Sequence, residues 1–182
     1  NLVGNVKQEH KIEPHIWQEK IGEYPSFFNW MASCLNMYMK TYMGQAVSDE
    51  EIKNVKGDIT GVDLHNSWIV NSIAGDFNPP HIHTQHVSFV LFTSDTAGLD
   101  DEVEAWKGTG PAPGNLILTY GEHSYKYAPP WSIINHNRHP KKGDLYIFPA
   151  LLKHWVAPYK SNFERVSVSG NLKFREMVSD PF

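Results

Sequence analysis

The sequence predicts a mainly β protein whose helices are confined to its N-terminal part. Helical periodicity of apolar residues is found only before Gly57. After that point, short β-rich stretches alternate with turns rich in Gly, Pro and Asn. Many short strands behind a helical start predict a double-stranded β-helix of the jelly-roll, cupin-like type. We expect one domain over residues 1–182, with helical support in 1–57 and the jelly-roll core in 58–182.

Two helices are predicted in the N-terminal part. Apolar residues recur every three or four positions over residues 26–44, which predicts an amphipathic helix with its aromatic residues in the core. Ser48 and Glu51 have the spacing of a capping box, so a second helix is predicted to end near Gly57. Residues 1–24 fit either a strand or a short helix packed on the body. We expect these helices to support one face of the sheet.

The remaining elements follow from β-rich runs and the turns between them. Residues 94–114 are acidic and rich in Gly and Pro, which suits either a solvated loop or a mobile lid that uses Trp106 to cover substrate. Residues 121–142 are polar and aromatic, and are predicted to be a loop. The predicted strands share a high content of β-branched and aromatic residues and cover 67–73, 87–93, 115–120, 144–148 and 165–169.

Composition excludes several functional classes. The formal net charge of −4 and the isoelectric point near 6.2 do not fit a protein that binds nucleic acid or an acidic membrane surface. The single cysteine, Cys34, cannot form an internal disulfide and fits a reducing compartment. No apolar run is long enough to span a membrane, and no leader segment opens the chain. The expected location is therefore the cytoplasm.

Three histidines are candidate metal ligands. His81 and His83 stand at positions i and i+2, so on an extended chain their imidazoles project to the same side, as two ligands of one metal require. His154 would supply a third ligand. His86 is a rival, although on a regular strand it would face away from the first two unless a bulge intervened. The alternative is that all of these histidines bond only to backbone groups at turns and strand ends.

A candidate anion site lies on the last predicted strand. The alternation of polar and apolar residues in RVSVS places Arg165, Ser167 and Ser169 on one face. An arginine and a hydroxyl two residues apart form a fork that suits a carboxylate, because the guanidinium can bind it with two parallel hydrogen bonds. The alternative is a surface ion pair between Arg165 and Glu164.

Two stretches together resemble a known family. SWIVNSIAGDFNPPHIH contains a PHxH motif, and GDLYIFPALLKHWVAPYKSNFERVSVSGNL contains a histidine followed, after ten residues, by R-x-S. This ordered set resembles the 2-oxoglutarate- and Fe(II)-dependent dioxygenases, and in particular a subfamily of oxygenases from bacteria and their viruses. The resemblance covers roughly residues 66–172, with an unmatched insert in the middle.

The resemblance implies a function and roles for particular residues. It implies that His81, His83 and His154 bind Fe(II), whereas most relatives outside the subfamily have a carboxylate where His83 stands. It further implies that Arg165 and Ser167 hold the distal carboxylate of 2-oxoglutarate. Asn71 is expected to donate an amide hydrogen bond to the same cosubstrate. The expected reaction hydroxylates a small molecule or a peptide using O2 and releases succinate and CO2. Ascorbate is a candidate additional cofactor.

Two other functional classes remain open at this point. A three-histidine dioxygenase of the cupin type would use iron and O2 without 2-oxoglutarate, and it would have no need for the Arg165 and Ser167 fork. A non-catalytic jelly roll that binds a metal or a small ligand would fit the fold equally well. Metal analysis and a turnover assay with 2-oxoglutarate distinguish the three classes.

Overall fold

The computed structural model describes residues 4–13, 16, 30–37, 62–96, 98–120 and 134–174. Within these residues, the chain forms two antiparallel sheets. The five-stranded sheet has the order β1-β2-β9-β4-β7, and the four-stranded sheet has the order β3-β8-β5-β6. This arrangement confirms the predicted mainly β, jelly-roll fold. The strands are β1 Gln8–Lys11, β2 Val62–Ser72, β3 Asn78–His81, β4 Val87–Phe92, β5 Leu116–Tyr120, β6 Ile134–Arg138, β7 Leu145–Pro149, β8 Lys153–Val156 and β9 Arg165–Phe174.

The longest strand pair, β2 with β9, determines which side chains face the interior. The pair runs from Val62 opposite Phe174 to Ser72 opposite Arg165, with a bulge between Leu64 and Asn66. Because side chains alternate along a strand, one face of β9 carries the side chains that line an internal cavity. Within residues 165–169, the side chains that line this cavity are those of Arg165, Ser167 and Ser169, as the sequence predicts.

The opposite face of this sheet packs on the helical segment 30–37. Met31 of this segment and Leu172 of β9 are fully buried in the same apolar cluster. Part of the first predicted helix is therefore confirmed, together with its packing role, but Trp30 is 51% exposed and is not a core residue. The predicted helix over 48–57 lies outside the described residues. No helix in the described ranges is long and apolar enough to cross a membrane.

Two strands that pair with β5 occur where the sequence does not predict a strand. β6 lies in the predicted loop over 121–142, and β8 lies between the predicted strands 144–148 and 165–169. β6 carries exposed polar residues and β8 has only four residues, so neither shows the apolar alternation that marks a strand. Pairing with a neighbouring strand, rather than local propensity, determines their conformation. β1, by contrast, is a strand, one of the two alternatives for residues 1–24, and it extends the five-stranded sheet by pairing with β2.

The strand that carries His81 is the outer strand of the four-stranded sheet. β3 begins at Asn78 and contains Pro79 and Pro80, and it lies between the predicted strands 67–73 and 87–93, where the sequence predicts no strand. Proline has no backbone N–H, so it is tolerated at a sheet edge, where one row of hydrogen bonds is not needed. β3 pairs only with β8 among the described strands, with an irregular register between Asn78 and His81.

Residues 94–114 contain a short helix, Leu99–Glu104, rather than an unstructured loop. Leu99 is fully buried, and the carboxylate of Glu102 accepts hydrogen bonds from the backbone N–H groups of Lys160 and Ser161 at 2.8 to 3.0 Å. The indole N–H of Trp106 donates to the carbonyl of Gly110 within the same segment. These contacts do not support the predicted mobile lid, because they attach the segment to the body of the fold.

Candidate metal and cosubstrate site

The three predicted histidines meet at one point of the structure. His81 of β3 and His154 of β8 are register partners, and His83 follows two residues after β3 with its backbone N–H donating to the carbonyl of Ala150 at 2.8 Å. Each ring offers one nitrogen, and these nitrogens all lie within 4.8 Å of one another. The ring centres are 4.2 Å apart for His81 and His154, and 5.0 and 5.2 Å apart for the pairs with His83. Such spacing allows three nitrogens to bind one ion.

Backbone hydrogen bonds orient two of these rings. The Nδ1 atom of His81 lies 2.7 Å from the carbonyl oxygen of Pro79, and that of His154 lies 2.8 Å from the carbonyl oxygen of Leu152. Because a carbonyl oxygen can only accept, Nδ1 carries the proton in both rings and donates it. The lone pair is then on Nε2, where it is available to a metal. Metal-binding histidines commonly have a second partner of this kind.

Burial keeps the cluster uncharged. Desolvation, together with the neighbouring His81, lowers the pKa of His83 to about 4. Desolvation, together with His81 and His83, lowers the pKa of His154 to about 3 and outweighs the opposite effect of the hydrogen bond to Leu152. The pKa of His81 is also lowered by burial. Near neutral pH all three imidazoles are therefore neutral, which is the form that binds a divalent metal. The donor set fits Fe(II), and within the described residues this cluster contains no carboxylate.

His86, the rival ligand, does not belong to this cluster. Its Nδ1 atom accepts a hydrogen bond from the backbone N–H of Phe174 at 2.9 Å, and its ring lies 5.0 Å from the Phe174 ring. The strand alternation expected from the sequence thus places His86 away from His81 and His83. The geometry brings His83, and not His86, to the other two histidines.

A cavity between the sheets connects the histidines with the predicted anion site. It has a volume of about 60 Å³ and is lined by all three histidines together with Arg165 and Ser167. The histidines belong to the side of β3 and β8, whereas Arg165 and Ser167 belong to β9 in the other sheet. A ligand in this cavity would therefore contact both sheets.

Arg165 is buried and has no acidic partner among the described residues. Its side chain is only 5% exposed, and Nη1 donates to the carbonyl oxygen of Gly114 at 2.7 Å. Desolvation lowers the pKa of Arg165 to about 10, while nearby Tyr159 and Asp76 act in the opposite direction, so the guanidinium stays charged at neutral pH. Among the described residues, no carboxylate forms a salt bridge with it. A buried cation without a counter-ion is costly, which points to an anionic ligand.

The alternative interpretation, a surface ion pair between Arg165 and Glu164, is not what the structure shows. The carboxylate of Glu164 instead forms a salt bridge with Lys7 at 2.9 Å and accepts a hydrogen bond from the side-chain amide of Asn71. Asn71 therefore lies on the outer face of β2 and is not among the residues that line the cavity. The sequence-based role of Asn71 as a donor to the cosubstrate is not supported, because strand alternation directs its amide away from the histidines.

Other cavity residues were missed by the sequence analysis. Trp68 of β2 lines the cavity, and its ring centre lies 5.7 Å from that of His83. Asn78 also lines it, and its Oδ1 atom is buried with no hydrogen-bond partner among the described residues. Alternation along β2 could have identified Trp68, since Ser72 lies opposite Arg165 and every second residue of β2 faces the same way. No sequence signal distinguishes Asn78 from an ordinary turn residue.

Comparison with known proteins adds a family match. A family model described as "Putative 2OG-Fe(II) oxygenase" matches residues 66–171, which include every histidine of the cluster and Arg165. No curated protein sequence matches the chain.

Several solved structures are similar at low sequence identity. A prolyl-4-hydroxylase from Pseudomonas putida is 16% identical with a TM-score of 0.48, and the match covers 93% of this chain and 72% of that one. An oxidoreductase of the 2OG-Fe(II) oxygenase family from Burkholderia pseudomallei is 13% identical with a TM-score of 0.45, covering 75% of this chain and 57% of that one. A cupin domain from Bordetella pertussis Tohama I is 17% identical with a TM-score of 0.33, covering 62% of this chain and 81% of that one.

Proposed function

Because this chain belongs to the family of 2OG-Fe(II) oxygenases, we propose that it is a 2-oxoglutarate-dependent Fe(II) dioxygenase that hydroxylates its substrate and releases succinate and CO2. The observation that carries this proposal is the pairing, in one cavity, of three neutral histidines with a buried arginine that has no acidic partner among the described residues. A metal and a dicarboxylate are the two ligands that such a cavity is built to accept.

Three residues are proposed as metal ligands: His81, His83 and His154. When bound, Fe(II) would supply the chemistry that activates O2 and couples it to oxidative decarboxylation of 2-oxoglutarate. The chain itself keeps the imidazoles neutral by burial and directs Nε2 of His81 and His154 toward the ion through the backbone carbonyls. No proton has to be removed from any of the three rings near neutral pH for a metal to bind.

The cosubstrate is proposed to lie between the two sheets. Arg165 would hold the distal carboxylate through the guanidinium N–H groups that Gly114 leaves unused, and the hydroxyl of Ser167 would add a hydrogen bond from the same face of β9. The apolar part of the cavity wall, which includes Phe89 and Phe148, excludes water from the reacting centre. Ascorbate is proposed only as an accessory reductant.

The substrate is proposed to approach from outside the cavity, on the exposed side of the histidines. A groove of about 510 Å³ lies there, and its lining includes His81, His83, Trp68 and Ile82. Ile82 is 51% exposed and offers an apolar contact at the groove. The groove is large enough for a small molecule or a peptide side chain. The single cysteine supports a location in the cytoplasm.

The test measures metal content and succinate formation. Purified protein reconstituted with Fe(II) is expected to bind one ion per chain and to release succinate slowly from 2-oxoglutarate even without substrate. His154→Ala is expected to abolish both properties, since His154 is one of only three donors in the cluster. His86→Ala is the matched control and should retain both, because His86 bonds to the backbone of Phe174.

Two results would contradict the proposal. Stoichiometric metal binding by His154→Ala would show that the ion does not occupy the histidine cluster. If iron-dependent O2 consumption did not change when 2-oxoglutarate was omitted, the protein would instead be a three-histidine dioxygenase of the cupin type. The described cluster is compatible with that class, because it contains three histidines and no carboxylate.

A further inference from the structure

Two aromatic rings contact the buried arginine of the cosubstrate site. The guanidinium carbon of Arg165 lies 5.7 Å from the ring centre of Phe92 and 5.4 Å from that of Tyr159. Both rings are buried, with 2% and 1% of their surface exposed. We propose that Tyr159, assisted by Phe92, is a positioning residue that fixes Arg165 for the distal carboxylate and so determines which 2-oxo acid the cavity accepts. This inference rests on the proposed function.

The first argument concerns charge. An aromatic face attracts a cation within about 6 Å of its centre, and this attraction strengthens when water is excluded. This attraction offsets part of the free-energy cost of desolvating Arg165 but does not neutralise its positive charge. A carboxylate at the same place would neutralise the guanidinium and repel a second carboxylate that entered the cavity. Aromatic support therefore keeps Arg165 both stable in a buried site and able to bind an anion.

The second argument concerns orientation. Gly114 accepts a hydrogen bond from Nη1 of Arg165 at 2.7 Å, and its own N–H donates to the carbonyl of Pro158 at 3.2 Å, directly before Tyr159. Gly114 has a φ of 69°, and a Cβ atom there would lie 2.8 Å from the side chain of buried Leu99. Only glycine suits this position. Gly114, whose carbonyl orients one edge of the guanidinium, is therefore hydrogen-bonded to the segment that carries Tyr159.

The third argument concerns the rigidity of the Tyr159 ring. Its hydroxyl donates to the carbonyl of Ser72 at 2.6 Å, and Ser72 is the register partner of Arg165 across β2 and β9. The ring also stacks on Phe163 at 4.6 Å between centres. Tyr159 is thus fixed relative to the same strand pair that carries Arg165. Its face cannot move away from the guanidinium without breaking these contacts.

A fixed guanidinium sets a length for the ligand. The histidines lie beside β3 and β8 of one sheet, and Arg165 lies on β9 of the other. The separation between the histidine end and the arginine end of the cavity is therefore set by the packing of the two sheets and by the fixed position of the guanidinium. A 2-oxo diacid of the matching chain length satisfies both ends, whereas a shorter or longer one satisfies only one.

The experiment measures ligand binding without turnover. Protein loaded with Mn(II) is titrated calorimetrically with 2-oxoglutarate, with oxaloacetate, which is one carbon shorter, and with 2-oxoadipate, which is one carbon longer. The variants are Tyr159→Leu, Tyr159→Phe, which keeps the ring but loses the hydrogen bond to Ser72, and Tyr120→Leu, a matched loss of a tyrosine that is 44% exposed and does not line the cavity. A separate Mn(II) titration monitors the histidine cluster.

We expect Tyr159→Leu to raise the Kd for 2-oxoglutarate by about tenfold or more and to weaken the preference for 2-oxoglutarate over the other two acids. Tyr159→Phe should fall between Tyr159→Leu and the unchanged protein, because it keeps the ring face but loses the hydrogen bond to Ser72. Tyr120→Leu should remain within about threefold of the unchanged protein, and Mn(II) affinity should be the same in all. If Tyr159→Leu does not fold, Phe92→Leu is used in its place with the same expectation.

The results that would contradict this inference differ from those that would contradict the proposed function. An unchanged Kd and selectivity in Tyr159→Leu, or an equal loss in Tyr120→Leu, would show that the Tyr159 ring does not position Arg165 and would overturn this inference alone. Failure of the unchanged protein to bind 2-oxoglutarate would overturn the proposed function and this inference together.

Discussion

Arg165 is the residue on which the choice between functions depends. The proposed metal ligands alone would suit several kinds of dioxygenase, whereas a buried guanidinium in the same cavity favours an anionic ligand. Ser167 on the same strand face contributes a hydroxyl and is itself only 8% exposed. In the proposed function, these two side chains would distinguish a site for a dicarboxylate from a site for metal and O2 only.

Removing this charge gives a direct prediction at the residue scale. Arg165→Ala should weaken 2-oxoglutarate binding by about 2 to 3 kcal/mol, since a charge-assisted pair in a buried site is lost. Arg165→Lys should restore only part of the affinity, because an ammonium lacks the planar fork. Both effects can be measured by calorimetric titration of the Mn(II)-loaded protein. Equal affinity in all three proteins would place the anion elsewhere.

The residues that could be predicted from the sequence are those whose roles follow from local spacing. His81 and His83 share a side because they are two positions apart, and Arg165 and Ser167 do so for the same reason. The residues around Arg165 come from three separate segments that only the fold brings together, so no local pattern identifies them. They are Phe92, Gly114 and Tyr159.

At the scale of elements, the short helix Leu99–Glu104 connects distant parts of the fold. Glu102 accepts hydrogen bonds from the hydroxyl of Ser161 at 2.6 Å and from two backbone N–H groups. Although partial burial alone would raise the pKa of Glu102, these hydrogen bonds lower it below the usual 4.5. The folded state therefore favours the carboxylate form of this side chain.

Glu102→Gln tests this connection through its pH dependence. A pKa lowered by folding contributes stability that is present above about pH 4.5 and is lost as the pH falls through the folded-state value. At pH 7 the variant should be about 1 kcal/mol less stable, and the difference should shrink in acid. Urea unfolding at several pH values measures it. Glu104→Gln, an exposed position in the same helix, should behave like the unchanged protein at every pH.

The element scale is also where prediction from sequence is least complete. Long strands such as β2 and β9 alternate clearly enough to be predicted, although both extend further than expected. β6 and β8 have only five and four residues and owe their conformation to pairing with β5. A short segment has too few positions for periodicity to be recognised, so its strand character depends on neighbours that the sequence does not reveal.

At the scale of the whole molecule, the proposed cosubstrate would link the two sheets. The metal would bind to the histidines beside β3 and β8, and the distal carboxylate would bind to β9 of the other sheet. A ligand that binds only the folded state stabilises it by an amount that grows with the ratio of its concentration to its Kd, and each sheet taken alone offers only one end of the site.

This arrangement predicts a cooperative gain in thermal stability. Mn(II) together with saturating 2-oxoglutarate should raise the Tm by more than the sum of the two separate shifts, on the order of 5 to 10 °C at a hundredfold excess over the Kd. Thermal unfolding followed by circular dichroism measures the shifts. Arg165→Ala should retain the shift caused by Mn(II) and lose the additional one. Strictly additive shifts would contradict a ligand that links both sheets.

The prolines of β3 have a consequence for how the protein avoids unwanted association. An outer strand with free backbone N–H groups can recruit an extended segment from another chain, and the sheet then grows into an aggregate. Pro79 and Pro80 lack this N–H, and because successive residues of a strand point their backbone groups to opposite sides, one of the two removes a donor from the free edge of the strand that carries His81. The edge nearest the metal site can therefore stay open to solvent and to substrate without offering a template for intermolecular β-pairing.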